Sequence, residues 1–148
     1  MKYYIGQVIN SNEIFAKALK DFANIDVANI EIVCNRNGKP FIKNTNIYFS
    51  KSHSNNYVIY AFSKKPIGVD MEYLKDININ LPNAFFNEIE KEYIKKDKLK
   101  LFEIWTLKEA VLKMNGKALK DINKINNDYK KYIIDELNDY FITIVEQI

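Results

Sequence analysis

A chain of 148 residues with 47% hydrophobic and 14% aromatic content, four glycines and three prolines suits one folded domain or two small half-domains sharing a core, and excludes a disordered or collagenous protein. Its 22 basic and 19 acidic residues leave a net charge of only +3, and Arg36 is the lone arginine, so repeated bidentate reading of phosphates or guanines is excluded and no nucleic acid partner is expected. Cys34 alone rules out an internal disulfide or a Cys-rich zinc site, the start lacks a signal peptide's apolar core, and the longest apolar run, Tyr57 to Phe62, is too short for a bilayer, so a cytoplasmic protein without membrane contact is expected.

Residues 2 to 9 read as a strand, and Ser11 or Asn12 can cap a helix from about Glu13 to Ala23 that buries Ile14, Phe15, Ala18, Leu19 and Phe22. Asn29 to Cys34 reads as a strand with Cys34 packed as a small apolar residue, and Asn35-Arg36-Asn37-Gly38 as a turn. Asn46 to Phe49 and Tyr57 to Phe62 read as strands flanking a loop, Ser50 to Asn56, that carries Ser52-His53-Ser54.

The stretch Ile67-Gly68-Val69-Asp70-Met71-Glu72 alternates, which sends Asp70 and Glu72 to one face of a strand and Ile67, Val69 and Met71 to the other. At about 3.3 Å of rise per residue the two carboxylates sit roughly 7 Å apart, within reach of one oxygen-ligated cation. Gly68 leaves that polar face open for a ligand to approach the backbone. Taken alone, the pattern is more simply a solvated acidic edge strand, and a partner motif is needed to overturn that reading.

From about Ala84, Phe85, Phe86, Ile89 and Tyr93 recur at helical spacing, and the charged run Lys91 to Lys100 leads into a second helix closed by Asn115-Gly116. On that helix Ile104, Leu107, Val111 and Met114 form an apolar stripe, beside Trp105, Glu109 and Lys113 at four-residue spacing. A solvated Glu-Lys pair is the simplest account of the second stripe considered by itself. Tyr129 to Glu136 and Tyr140 to Gln147 read as a closing hairpin around Asn138-Asp139. The pattern is α+β, with two small similar half-domains, 1–65 and 66–148, each a helix plus antiparallel strands, and a site at their seam.

Taken in order, Gly38-Lys39-Pro40, Ser52-His53-Ser54, Gly68-Val69-Asp70-Met71-Glu72, Phe85-Phe86 with Glu90, and Trp105-Thr106-Leu107-Lys108-Glu109-Ala110 with Lys113 resemble the Sfp-type 4′-phosphopantetheinyl transferases over roughly residues 37 to 148. The resemblance implies that family's fold and the transfer of the phosphopantetheine arm of coenzyme A to a serine of an acyl or peptidyl carrier protein. It also implies a Mg²⁺ requirement and release of 3′,5′-ADP. By position it makes Asp70, Glu72 and Glu109 metal residues, Glu109 and Lys113 catalytic, and Lys39, Pro40, Ser52 and His53 coenzyme A contacts. The same chemistry asks for these residue types. Three carboxylates can hold Mg²⁺ while leaving water in its shell, Lys113 can meet a phosphate as a point charge, and Glu109 or a metal-bound water it orients can accept the serine proton.

The chain is shorter than usual for that family, whose N-terminal basic segment supplies several contacts to the 3′-phosphate. Lys17, Lys20 or Arg36 would replace them, Arg36 being the preferred choice. Ser50 stands where asparagine is common, and Ala118 replaces the second glycine of Gly-Lys-Gly-Leu. The lysines between 91 and 100 suit either an acidic carrier surface or plain solvation. Because both halves of the site lie in one chain, a monomer is expected. The competing reading is a catalytically weak module of the same ancestry that binds coenzyme A or a carrier protein.

Overall fold

A computed structural model describes residues 1–74, 83–122 and 128–148. Among the described residues eight strands and three α-helices follow in the order β1 (Lys2–Gln7), α1 (Ser11–Ala23), β2 (Ile32–Cys34), β3 (Pro40–Ile42), β4 (Tyr48–Ser54), β5 (Tyr57–Ser63), β6 (Ile67–Tyr73), α2 (Glu88–Lys96), α3 (Leu99–Asn115), β7 (Tyr129–Ile134) and β8 (Tyr140–Gln147). The chain is α+β. Among the described residues no helix is long and apolar enough to cross a membrane.

Two antiparallel three-stranded sheets, β1-β5-β4 and β6-β8-β7, carry the structure, and β2 and β3 pair separately. The apolar run of β5 is buried on both faces, as expected of a strand sandwiched between layers. Val58, Tyr60 and Phe62 pack under Phe15, Ala18 and Leu19 of α1, while Ile59 and Ala61 meet Ile67, Val69 and Met71 of β6 and Ile142 and Ile144 of β8. On the far side of the second sheet, Ala110, Val111 and Met114 of α3 cover Val145. The layers therefore run α1, sheet, sheet, α3.

Several sequence expectations change in the folded chain. Ser11 opens α1 without capping it, and its hydroxyl bonds the Tyr60 hydroxyl instead, at 2.8 Å. Cys34 is exposed rather than packed, because among the described residues β2 pairs with β3 alone and Cys34 opposes Pro40 on that small ribbon. β4 extends to Ser54, so Ser52-His53-Ser54 belongs to a strand and not to a loop, the turn being confined to Asn55-Asn56. Phe86 is buried, but Ile89 and Tyr93 are 68% and 53% exposed. Their helical spacing fails as a core signal because Asn87 caps a new helix with Glu90 in a capping box, turning the α2 face outward. α3 is buried on two sides, since Trp105 and Leu112 pack with Phe86 and Ile122 opposite the face that meets the sheet. A single apolar stripe therefore understates its burial.

β4 lies along the open edge of β6 but does not pair with it as a strand. The hydroxyls of Ser50, Ser52 and Ser54 accept hydrogen bonds from the amides of Val69, Met71 and Tyr73 at 3.1, 3.2 and 3.0 Å. Successive residues of a strand point to opposite faces, so serines at every second position present one row of hydroxyls. That row satisfies the amide donors an edge strand would leave orphaned.

Candidate active site

β6 pairs with β8 through Asp70↔Thr143 and Glu72↔Phe141, and its even-numbered residues face α3. The helix lies close because Gly68 has no side chain: a Cβ there would stand 1.8 Å from the Ala110 carbonyl oxygen and 2.6 Å from the Met114 amide. The space attributed in sequence to a ligand is thus filled by helix backbone. A buried Thr106–Thr143 hydroxyl contact of 2.7 Å fixes the same helix against β8. This approach sets Glu109 and Lys113 over Asp70.

Asp70 is only 4% exposed. Its Oδ1 accepts from Lys113 Nζ at 2.6 Å and from Ser52 Oγ at 2.9 Å, whereas Oδ2 is buried and accepts no hydrogen bond among the described residues. Ser52 Oγ also accepts from the Met71 amide and from Lys113 Nζ, so its hydroxyl is fully occupied in holding Asp70 and Lys113. Glu72 accepts from Trp105 Nε1 at 3.2 Å. Asp70, Glu72, Glu109, Lys113, Ser52, His53, Trp105 and Lys51 line one cavity of about 450 Å³. The Trp105, Glu109, Lys113 stripe of the sequence is therefore a wall of the site.

Burial raises all three carboxyls above their ordinary range. For Asp70 burial outweighs the pull of Lys113. Glu72 is pushed up to about 7 by burial and then by the charge of Asp70, and Glu109 is raised for the same two reasons. Like charges crowded in a partly dry cleft favour whatever neutralises them: a proton, Lys113 or a cation. An orphaned buried oxygen on Asp70 beside two further carboxylates is a donor set of the all-oxygen kind that Mg²⁺ takes. As the side chains stand, no three ligating groups among the described residues converge on one point, and Lys113 holds Asp70.

Glu72 is an acid whose folded pKa lies above its unfolded one, so its charge destabilises the fold increasingly as pH rises from about 4.5 to about 7, and fully above that. Glu72→Gln is expected to remove this loss, stabilising the metal-free protein at pH 8 by about 1 kcal/mol, since solvent screening of a half-exposed group cuts the full shift. Thermal melts at pH 5 and pH 8 check it; an equal drop with pH in both proteins would contradict the assignment.

A second cavity of about 310 Å³ adjoins the first, sharing Lys51 and Lys113 and walled by Asn37, Gly38, Lys39, Pro40 and Phe49. Lys39 and Pro40 are thus placed together at a second chamber. Lys39 turns its ammonium inward, to the carbonyls of Met114 at 3.2 Å and Ile67 at 3.4 Å, and burial pushes its pKa down to about 8. Arg36 is exposed and lines neither cavity. Lys17 and Lys20 pair on the surface with Glu13 and Asp26. Lys91, Lys95 and Lys100 pair with Glu88, Glu92 and Glu103 on their own helices.

Lys51 was not singled out in sequence, though strand alternation would have exposed it once β4 was extended through Ser54. It lies on the face of β4 opposite Ser52, 5.5 Å over the Tyr60 ring, at the junction of the two chambers. Lys117 lines the second chamber as well. Lys108 is no wall of either; it ties α3 to the preceding segment through the Phe85 carbonyl and Glu90 at 2.6 and 2.7 Å.

The family model of the 4′-phosphopantetheinyl transferase superfamily matches residues 66–144. The chain is 34% identical over 111 residues to the 4′-phosphopantetheinyl transferase gsp of Aneurinibacillus migulanus, covering 72% of this chain and 46% of that protein. It is 34% identical over 101 residues to the 4′-phosphopantetheinyl transferase Sfp of Bacillus subtilis strain 168, covering 64% of this chain and 45% of Sfp. The ffp protein of Bacillus subtilis is 35% identical over a stretch of the same length, with the same coverage. The chain thus spans about half the length of the curated relatives it matches.

Proposed function

This chain belongs to the 4′-phosphopantetheinyl transferase superfamily, and we propose that it transfers the 4′-phosphopantetheine arm of coenzyme A to a serine hydroxyl of an acyl or peptidyl carrier protein, releasing 3′,5′-ADP. The observation that carries the reading is the pairing of a three-carboxylate cleft, with Asp70 Oδ2 unsatisfied, to an adjoining lysine-rimmed chamber. The chamber walled by Lys39 and Pro40 suits the nucleotide, and the cleft suits the diphosphate and the incoming serine.

In this reading the serine oxygen forms a bond to the phosphorus that bears pantetheine, and the bond from that phosphorus to the bridging oxygen breaks, leaving 3′,5′-ADP. Mg²⁺ held by Asp70, Glu72 and Glu109 would supply neutralisation of the diphosphate charge. Glu109, whose basicity is raised by burial and Asp70, accepts the serine proton, directly or through water. Lys113 gives its charge to the diphosphate oxygens once it leaves Asp70. Ser52 keeps Asp70 in place, and His53 lines the same cleft at the neighbouring position of β4. The two sheet-and-helix layers act as half-domains 1–65 and 66–148 with the site at their seam. A site assembled within one chain supports a monomer, working in the cytoplasm.

Intact mass of an apo carrier protein after incubation with this protein, coenzyme A and Mg²⁺ tests the proposal. A phosphopantetheine-sized gain, lost with EDTA and in Glu109→Ala, is expected. The rival reading, a module that binds coenzyme A or a carrier without efficient transfer, is favoured by the Lys113–Asp70 pair occupying the cleft. Calorimetric binding of coenzyme A with no mass gain on acyl or peptidyl carriers would establish it instead.

A further inference from the structure

The end of α3 is held by a turn that belongs to the other half of the chain. Gly116 caps the helix at φ +62°, and the Gly116 and Lys117 amides return to the carbonyls of Lys113 and Leu112 at 3.2 and 3.0 Å. Two further carbonyls of this end take donors from outside the helix. Gly116 O accepts from Asn35 Nδ2 at 3.0 Å and from Asn37 Nδ2 at 2.9 Å, and Met114 O accepts from Lys39 Nζ at 3.2 Å.

The turn is itself prearranged. Asn35 Oδ1 accepts from the amides of Asn37 and Lys39, both at 2.9 Å, so every polar atom of the Asn35 side chain is spoken for. The approach is close enough that a Cβ on Gly116 would lie 2.7 Å from Asn35 Nδ2. Lys113 sits immediately before the clamped carbonyls, and Asn37, Gly38 and Lys39 wall the same chamber that Lys113 rims.

We infer that Asn35, Asn37 and Lys39 are positioning residues: the turn clamps the last turn of α3 and so sets where Lys113 delivers its ammonium. A helix rotates about 100° per residue, so a small rotation or slip of its final turn swings the long Lys113 side chain off the line to Asp70 and Ser52. Misplacement on the scale of 1 Å of a charge-stabilising group can cost about 100-fold in rate.

Asn35→Asp is the discriminating variant. It retains an oxygen for the Asn37 and Lys39 amides but sets a carboxylate oxygen against Gly116 O where a donor stood. The kinetic arm rests on the transferase reading. There kcat should fall about 10- to 100-fold with the coenzyme A KM changed by less than about twofold, and the same substitution should do little in a Lys113→Ala background, because both act through one ammonium. A second arm is independent of activity: the Lys113 side-chain NMR resonances of the substrate-free protein should move toward those of an unconstrained lysine. Additive rate losses together with unmoved Lys113 resonances would overturn the inference. Absence of transfer by the wild-type protein would sink the transferase reading alone, leaving the resonances to decide this one. If Asn35→Asp does not fold, Asn37→Ala removes one donor without touching the prearranged turn and is expected to act in the same direction, more weakly.

Discussion

On the proposed transferase reading, Asp70→Asn is expected to lower the rate of phosphopantetheine transfer by about three orders of magnitude while leaving the fold intact. The amide is isosteric with the carboxylate and can keep an oxygen toward Ser52, and Lys113, whose side chain is 30% exposed, can turn to water. Burial already disfavours charge at this position, so the substitution removes a desolvated group that is costly to the fold, and the melting temperature should stay within about 3 °C of wild type. What is lost is the unsatisfied Oδ2, a buried side-chain acceptor without a donor among the described residues, and with it part of the negative charge that would hold a divalent cation. Time courses of carrier mass and calorimetric titration of Mg²⁺ measure the two effects separately. Transfer within about tenfold of wild type would mean that Asp70 holds Lys113 and nothing more.

Gly68→Ala should be the most damaging single methyl in the chain. The added Cβ meets three backbone atoms of α3, the Ala110 carbonyl oxygen and carbon and the Met114 amide nitrogen, and none of these can rotate away as a side chain could. Strand and helix must separate, which opens the packing of Ala110, Val111 and Met114 on Val145 and strains the Thr106–Thr143 contact. Losses of about 4 kcal/mol or more are typical when backbone and core are displaced together, against a total stability of roughly 5–15 kcal/mol. For a domain of this size the melting temperature should drop by roughly 10 °C or more. On the transferase reading any folded fraction should also transfer poorly, since Glu109 and Lys113 ride on the displaced helix. Unchanged melting and activity would show that the helix does not lie against β6 as described.

Much of the site was legible from local pattern. Alternation in Ile67 to Glu72 placed the carboxylates on one face of β6 and the apolar residues in the core between the sheets, and the four-residue spacing of Trp105, Glu109 and Lys113 put them on one wall. The C-cap at Gly116 and the closing hairpin were equally readable, because caps and turns are set by a few neighbouring residues. The failures cluster where local signals were ambiguous. Ser50 to Ser54 is polar and lacks β-branched residues, so it resembles a loop until its serines are seen to serve as acceptors for the edge of β6. Ile89 and Tyr93 have core spacing, but no layer among the described residues covers them.

By itself the sequence determined most of the strands and helices, which residues of β6 and α3 share a face, and which family the ordered motifs resemble, all properties of spacing along the chain. The tertiary structure alone decided that Gly68 admits a helix rather than a ligand, that Ser52 holds Asp70, that Lys51 stands at the junction of the chambers, and that Asn35 and Asn37 clamp Gly116. Each of these joins groups far apart in sequence through short-range contacts, and neither steric exclusion nor hydrogen bonding between distant residues leaves a periodic trace that a local pattern can carry.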